Sequence, residues 1–202
     1  TVTGNVDTSA TGAYILRYDV IDAAGNVATT ATRTVCVTVE AQDPPLSVIP
    51  VVSTLKKFMP SRFNDQLAQA QSNQVDLVMI GDSITHNWEG ISNYATTFEG
   101  RKLLNLGFAG DRTENVLWRI HHGAVDGIAP QTVTLMIGTN NVGGGQDSAD
   151  IFLGIQAIIA ELRWRLPNSE IIVFSIFPRA TAAQYDVVKA VNAMLPQLSD
   201  QA

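Results

Sequence analysis

One cysteine, Cys36, is all the thiol that the 202 residues contain, so no internal disulfide can form and cysteine usage leaves the redox compartment open. Its apolar neighbours Val35 and Val37 indicate an inert strand residue, with a reactive thiol as the alternative. Positive charge is also scarce. Thirteen Lys and Arg stand against nineteen Asp and Glu, for a net charge of −6, and the basic residues are scattered. Without a basic stripe to neutralise phosphates, nucleic acid is not an expected partner. Long apolar runs are missing as well: Val75 to Ile80 falls far short of the roughly 20 residues that cross a bilayer, so no membrane span is expected. No Met-initiated, basic-then-apolar leader precedes Thr1. The chain opens in strand-like text, so the start of the gene product is expected upstream.

What is present supports a folded protein. Hydrophobic residues make up 46% and charged residues 16%, a balance that supplies a core and argues against disorder. The length suits one full domain and a smaller piece.

Residues 1–40 are rich in Thr, Val and Ala and alternate at period two in Tyr14 to Val20 and Arg33 to Val39, which predicts strands. Between them Asp22-Ala23-Ala24-Gly25-Asn26 offers a Gly-Asn pair that tolerates the positive φ of a hairpin turn. A β-meander is expected. Residues 41–50 hold Pro44, Pro45 and Pro50, which disfavour helix and central strand, and read as a linker. From residue 51 to 202 the pattern changes. Helical stretches (Leu55 to Gln71, Ala149 to Arg165, Ala182 to Leu198) alternate with short apolar runs (Val75 to Ile80, Leu103 to Leu106, Thr132 to Ile137, Ile171 to Ile176). That alternation predicts a parallel sheet with helices on both faces.

Each of the first three of these runs ends in small and polar residues: Gly81-Asp82-Ser83-Ile84-Thr85, then Gly107-Phe108-Ala109-Gly110-Asp111, then Gly138-Thr139-Asn140-Asn141. The carboxyl ends of strands in an open α/β sheet line its ligand crevice, so all three face one site. A serine directly after a strand, at a helix N-terminus, is exposed where free amides favour developing negative charge. Singly, such tripeptides are ordinary turns and caps.

In order and spacing, the three clusters resemble the three blocks of the SGNH hydrolases, from Leu55 to about Leu198. Val116-Leu117-Trp118-Arg119 and Phe177-Pro178-Arg179 are further similar to the branch containing the catalytic subunits of platelet-activating-factor acetylhydrolase. The resemblance implies a flavodoxin-like three-layer α/β/α fold over residues 51–202. It makes Ser83 the nucleophile of a serine esterase, with the Ser83 and Gly110 amides and the Asn140 side chain as oxyanion hole. Asp82 and Asp111 then organise loops. No metal or nucleotide cofactor is implied, and the substrate is a small ester, an acylated carbohydrate or lipid. Residues 1–40 resemble the last strands of a bacterial immunoglobulin-like domain, with a plain hairpin appendage as the alternative. That neighbour implies an extracellular or cell-surface setting.

A serine needs a base, which the family supplies from an Asp-x-x-His block near the end of the domain. None of His86, His121 and His122 has an aspartate three residues before it. His86 lies three residues after Ser83 and is the weaker candidate base; His121 and His122 read as solvated or capping residues. The expectation is a hydrolase domain truncated before its catalytic His/Asp part, inactive as it stands and prone to associate through the open sheet. The rival reading is a noncatalytic adhesion or carbohydrate-binding protein on a degenerate hydrolase fold.

Overall fold

The computed structural model describes residues 1–7, 12–37, 44–53, 61–72, 74–178 and 181–199. The chain separates into Thr1–Pro44 and Pro45–Ala202.

In the first unit, the alternating segments form β2 (Gly12–Tyr18) and β3 (Ala31–Val37), paired antiparallel, with the short β1 (Val2–Thr3) on the other side of β2. Asp22 organises the turn between them. Its carboxylate accepts from the Ala24 and Asn26 amides at 2.9 and 2.8 Å, and Gly25 takes φ +86°, a value that favours glycine. These bonds hold the Asp22 carboxyl below its ordinary range, the Asn26 side chain contributing most. Three antiparallel strands match the expected meander. Thr38 and Val39, expected to extend β3, and the surroundings of the Cys36 side chain lie outside the described residues.

The second unit is built on the parallel strands β4 (Leu77–Gly81), β5 (Leu103–Gly107), β6 (Thr132–Met136) and β7 (Glu170–Val173), in the order β5-β4-β6-β7. All five residues of β4 are buried, which is why it reads as a continuous apolar run. β7 is an edge strand: Glu170 and Ile172 are exposed, while Ile171 and Val173 are half-buried. It is shorter than the expected Ile171 to Ile176. After Phe174 bonds Leu135, the side chain of Asn192 takes over, accepting from the Ile176 amide at 2.8 Å and donating to its carbonyl at 2.9 Å.

Helices cover the sheet: α1 (Ser61–Ser72), the short α2 (Ser83–His86) and α3 (Tyr94–Thr97), α4 (Thr113–His121), the short α5 (Thr139–Gly143), α6 (Ser148–Arg165) and α7 (Ala182–Met194). The stretch Leu55 to Pro60, expected to open the first helix, lies outside the described residues. α6 starts where the Asp147 carboxylate accepts from the Asp150 amide at 2.8 Å, a side-chain N-cap. It buries Ile151, Ile155, Ile158, Ile159 and Leu162, a single helical stripe. α7 ends at Met194 rather than Leu198 because Pro196 falls in the next turn, and Leu195–Leu198 form a 3₁₀ turn.

Part of the Pro-rich stretch packs against this unit. Leu46–Val48 form a 3₁₀ turn whose Ser47 is fully buried. The close approach depends on Gly154 in mid-α6, where a Cβ would sit 2.5 Å from the Thr113 hydroxyl and 2.8 Å from the Ser47 carbonyl oxygen.

Candidate active site

The three sequence clusters lie at the carboxyl ends of the adjacent strands β4, β5 and β6. Register aligns Gly81 with Gly107 on one side and with Met136 on the other. The first two glycines allow close packing. A Cβ on Gly81 would lie 2.6 Å from the Met136 carbonyl oxygen and collide with the Thr85 hydroxyl. One on Gly107 would lie 2.7 Å from the Thr85 carbonyl carbon and collide with the His86 amide nitrogen. α2 is thus pressed directly onto the end of β5.

Asp82 is the N-cap of α2. Its buried carboxylate accepts from the Ile84 amide at 2.9 Å, and its carbonyl accepts from His86 at 2.9 Å. These bonds fix the first residue of the helix, Ser83, which is half-buried. α2 is a single turn followed by a 3₁₀ stretch, Asn87–Gly90, so any help to a developing charge comes from individual amides. Asn105, inside β5, ties that strand to α2. Its side chain donates to the Thr85 carbonyl at 2.9 Å and accepts from the Gly107 amide at 2.8 Å.

The loop after β5 is held by its ends. Phe108 donates to the Gly81 carbonyl at 3.0 Å, and Asp111 donates back to the Phe108 carbonyl at 3.1 Å. This closes a four-residue turn with Gly110 at φ +84° in its third position, where a positive φ selects glycine. The Asp111 carboxylate pairs with Arg119 of α4 at 2.6 and 3.0 Å, both side chains buried. Arg119 also stacks on the Phe108 ring, 3.5 Å from its centroid. Burial pushes the Asp111 carboxyl above its ordinary range, and Arg119 opposes that push.

After β6, Gly138 takes φ +120° and leads into α5. The Asn140 side-chain amide donates to the Asp111 carbonyl at 2.9 Å. Its neighbour Asn141, fully buried, donates to the Thr113 hydroxyl, Glu114 and Gln146 at 2.9, 3.0 and 2.5 Å and accepts from the Thr113 amide at 3.1 Å. The geometry therefore gathers Ser83, Gly110 and Asn140 on neighbouring strand ends and links the last two directly through Asp111.

Sequence reasoning missed Asn105, Arg119, Asn141 and Arg62. The last of these, at the start of α1, donates to the Gly107 carbonyl at 3.0 Å and the Asn105 carbonyl at 3.2 Å while pairing with Glu89 at 2.8 Å. The available signal was polarity inside apolar segments, at Asn105 and Arg119.

His86 closes the single turn of α2 that Ser83 opens, while His121 and His122 lie at the end of α4. His86 is half-buried, and burial, then the Arg62 charge, lowers its pKa against an opposing pull from Glu89. His121 pairs with Glu161 at 3.1 Å, and His122 stacks on Trp118 with centroids 3.9 Å apart. A cavity of about 720 Å³ lies beside β7, lined by Ile159, Arg163, Ile171, Val173 and Asn192 among others; Ser83, Gly110 and Asn140 are not part of its wall. Among the described residues, no three His, Cys, Asp or Glu side chains are grouped to hold a metal, and no helix is long and apolar enough to cross a membrane.

Residues 79–202 match the GDSL-like lipase/acylhydrolase family. Residues 1–37 match the Ig-like domain of bacterial surface proteins. The platelet-activating factor acetylhydrolase IB subunit beta homolog of Drosophila melanogaster is 32% identical over 113 residues, covering 56% of this chain and 49% of that protein. The alpha1 subunit of the Bos taurus acetylhydrolase is 31% identical over 113 residues, 56% of this chain and 48% of its own. The chain thus spans about half the length of the curated relatives it matches. A structure from Streptococcus pneumonia superimposes with TM-score 0.60 at 21% identity, covering 71% of each chain. A lipolytic G-D-S-L family protein from Veillonella parvula gives TM-score 0.53 at 20% identity, covering 61% of this chain and 71% of its own. These bear out the parallel α/β fold expected from the strand and helix alternation.

Proposed function

The chain belongs to the GDSL-like lipase/acylhydrolase family, and on that basis we propose that it carries the nucleophile and oxyanion donors of a serine esterase that cleaves short acyl esters through an acyl-enzyme. Ser83 is its nucleophile. The observation that carries this reading is the 2.9 Å bond from the Asn140 side chain to the Asp111 carbonyl, which couples two donors of the type an oxyanion needs beside Ser83. Attack on an ester carbonyl places negative charge on its oxygen, and preorganised donors stabilise that charge, each by about 3–4 kcal/mol in a comparable hydrolase. The Gly110 amide, on a residue without a side chain, approaches a substrate oxygen closely. Asn140 has two N–H donors; one is engaged with Asp111, leaving the other for the substrate. Asp82 supports the site by capping α2.

The curated relatives are named acetylhydrolases, which supports acetyl esters as the substrate class; the acylated alcohol we assign is a carbohydrate or lipid. The immunoglobulin-like match favours action at a bacterial cell surface or outside it. No Asp-x-x-His pattern occurs in the 202 residues, and loss of the base alone costs on the order of a millionfold in a serine hydrolase. Negligible turnover is expected from them alone, and the β7 edge is where these chains would associate.

The test is release of acetate or p-nitrophenol from short acyl esters by the product of the full reading frame, with Ser83→Ala as control. Turnover abolished by Ser83→Ala supports the esterase. Glycan binding indifferent to Ser83→Ala, without turnover, supports a noncatalytic carbohydrate-binding protein instead, the reading to which the Ig-like match over residues 1–37 lends support.

A further inference from the structure

Every polar group of Asp111 is committed to a different part of the site. Its N–H closes the turn onto Phe108, its carbonyl receives the Asn140 side chain, and its carboxylate takes two bonds from Arg119. Gly110 sits inside the turn that the first bond closes, and Asn140 is held by the second. A displacement of residue 111 therefore moves both groups together. The Ser53 side chain also hydrogen-bonds this carboxylate, but Arg119, buried and gripping both carboxylate oxygens, is the partner that fixes its direction. Its guanidinium lies against the Phe108 ring at 3.5 Å and the Phe63 ring at 5.4 Å, and its helix α4 packs on the core through Val116, Leu117 and Ile120.

We propose that Arg119, acting through the Asp111 carboxylate, is a positioning residue that holds the Gly110 amide and the Asn140 side chain in register as oxyanion donors. The proposal rests on the esterase reading of this same site. Stability gives no separate reason for the pair, since a buried ion pair is often replaceable by packed neutral side chains without loss. A planar fork gripping one carboxylate with two parallel bonds fixes direction as well as distance, which a lone ammonium does not. Oxyanion stabilisation requires that directional accuracy, because a shift of about 1 Å in such a site costs on the order of a hundredfold in rate.

The experiment pairs amide NMR with kinetics. Arg119→Met leaves a buried carboxylate unpaired and is at risk of not folding, so the decisive variant is the neutral double change Asp111→Asn with Arg119→Gln. In the 202-residue chain the double variant should unfold cooperatively, while the Gly110 amide and Asn140 side-chain resonances move and hydrogen exchange at the residue 111 amide accelerates by tenfold or more. In the full reading frame kcat should fall by about a hundredfold with KM within about twofold, and Arg119→Lys should recover part of the loss. A folded double variant whose Gly110 and Asn140 signals stay in place, or whose kcat equals that of the parent, overturns the proposal. Moving signals without any Ser83-dependent turnover in the parent would sink the esterase reading and, with it, the catalytic meaning of the positioning.

Discussion

The side chain of Asn140 and the backbone of Asp111 are joined across two strand-end loops by a single 2.9 Å hydrogen bond. Removing the Asn140 amide therefore takes away both a donor to the substrate oxygen and the clasp between the loops. In the full reading frame, Asn140→Ala should lower kcat for a short acyl ester by about 10² to 10³-fold, the usual cost of one oxyanion donor. A loss under threefold would remove Asn140 from the site.

Gly107 and Gly90 give a matched pair for testing how tightly α2 is seated. Alanine at 107 would force its Cβ into the backbone of Thr85 and His86, whereas at 90 nothing lies within 4 Å. Overpacking of that kind costs about 1–3 kcal/mol, occasionally more, so Gly107→Ala should lower the urea midpoint clearly. Gly90→Ala should leave it within the change of about 0.5 kcal/mol usual at an unconstrained surface position. Equal midpoints for the two variants would contradict the packing described.

Asp82 should be separable from the chemistry. As the N-cap of α2, its replacement by Ala is expected to cost about 1 kcal/mol of stability, read as a shift in the denaturation midpoint. Asp82→Asn, which keeps a capping oxygen, should recover most of that. If Asn fails where Ala fails, charge rather than capping is what position 82 requires.

His86 provides a pH dependence of definite sign. Burial and then Arg62 lower its pKa in the folded protein from the ordinary 6.5, so below about 6.5 the unfolded chain binds the proton more readily. Stability should fall as the pH drops from about 6.5 toward the folded-state value and lose nothing more from this group below it. Melting temperatures measured between about pH 7.5 and 5 should decline more steeply for the parent than for His86→Gln. Parallel curves would show that His86 is not the source.

Much of this was legible in the amino-acid order. β4 is buried along its whole length and appears as an unbroken apolar run, β5 is interrupted by Asn105, and β6 alternates buried Val133 and Leu135 with half-buried Thr132, Thr134 and Met136. Each ends in or is soon followed by a glycine that is sterically required or begins a turn. The sequence predicts a longer β7 because its continuation through Ile176 is apolar, yet Asn192, sixteen residues on, supplies the hydrogen bonds that a neighbouring strand would have made. The packing of Leu46–Val48 was hidden by the prolines around it. At the site, the family resemblance pointed to Asn140 but not to Asn141, since a tripeptide alone does not say which of two adjacent amides turns inward. The Asp111–Arg119 pair spans eight residues across a turn and a helix start, a separation with no periodic signature. Arg62 is further from view still, meeting Gly107 from 45 positions away.

Gly154 carries a consequence for how this sequence can change over time. Its missing side chain is what lets Ser47 and Thr113 close over α6, and any larger residue meets both at once. Position 154 therefore has no neutral first step of its own. A lineage that enlarges it must already have shifted the Leu46–Val48 turn and trimmed residue 113, so three stretches far apart in the chain are obliged to drift together.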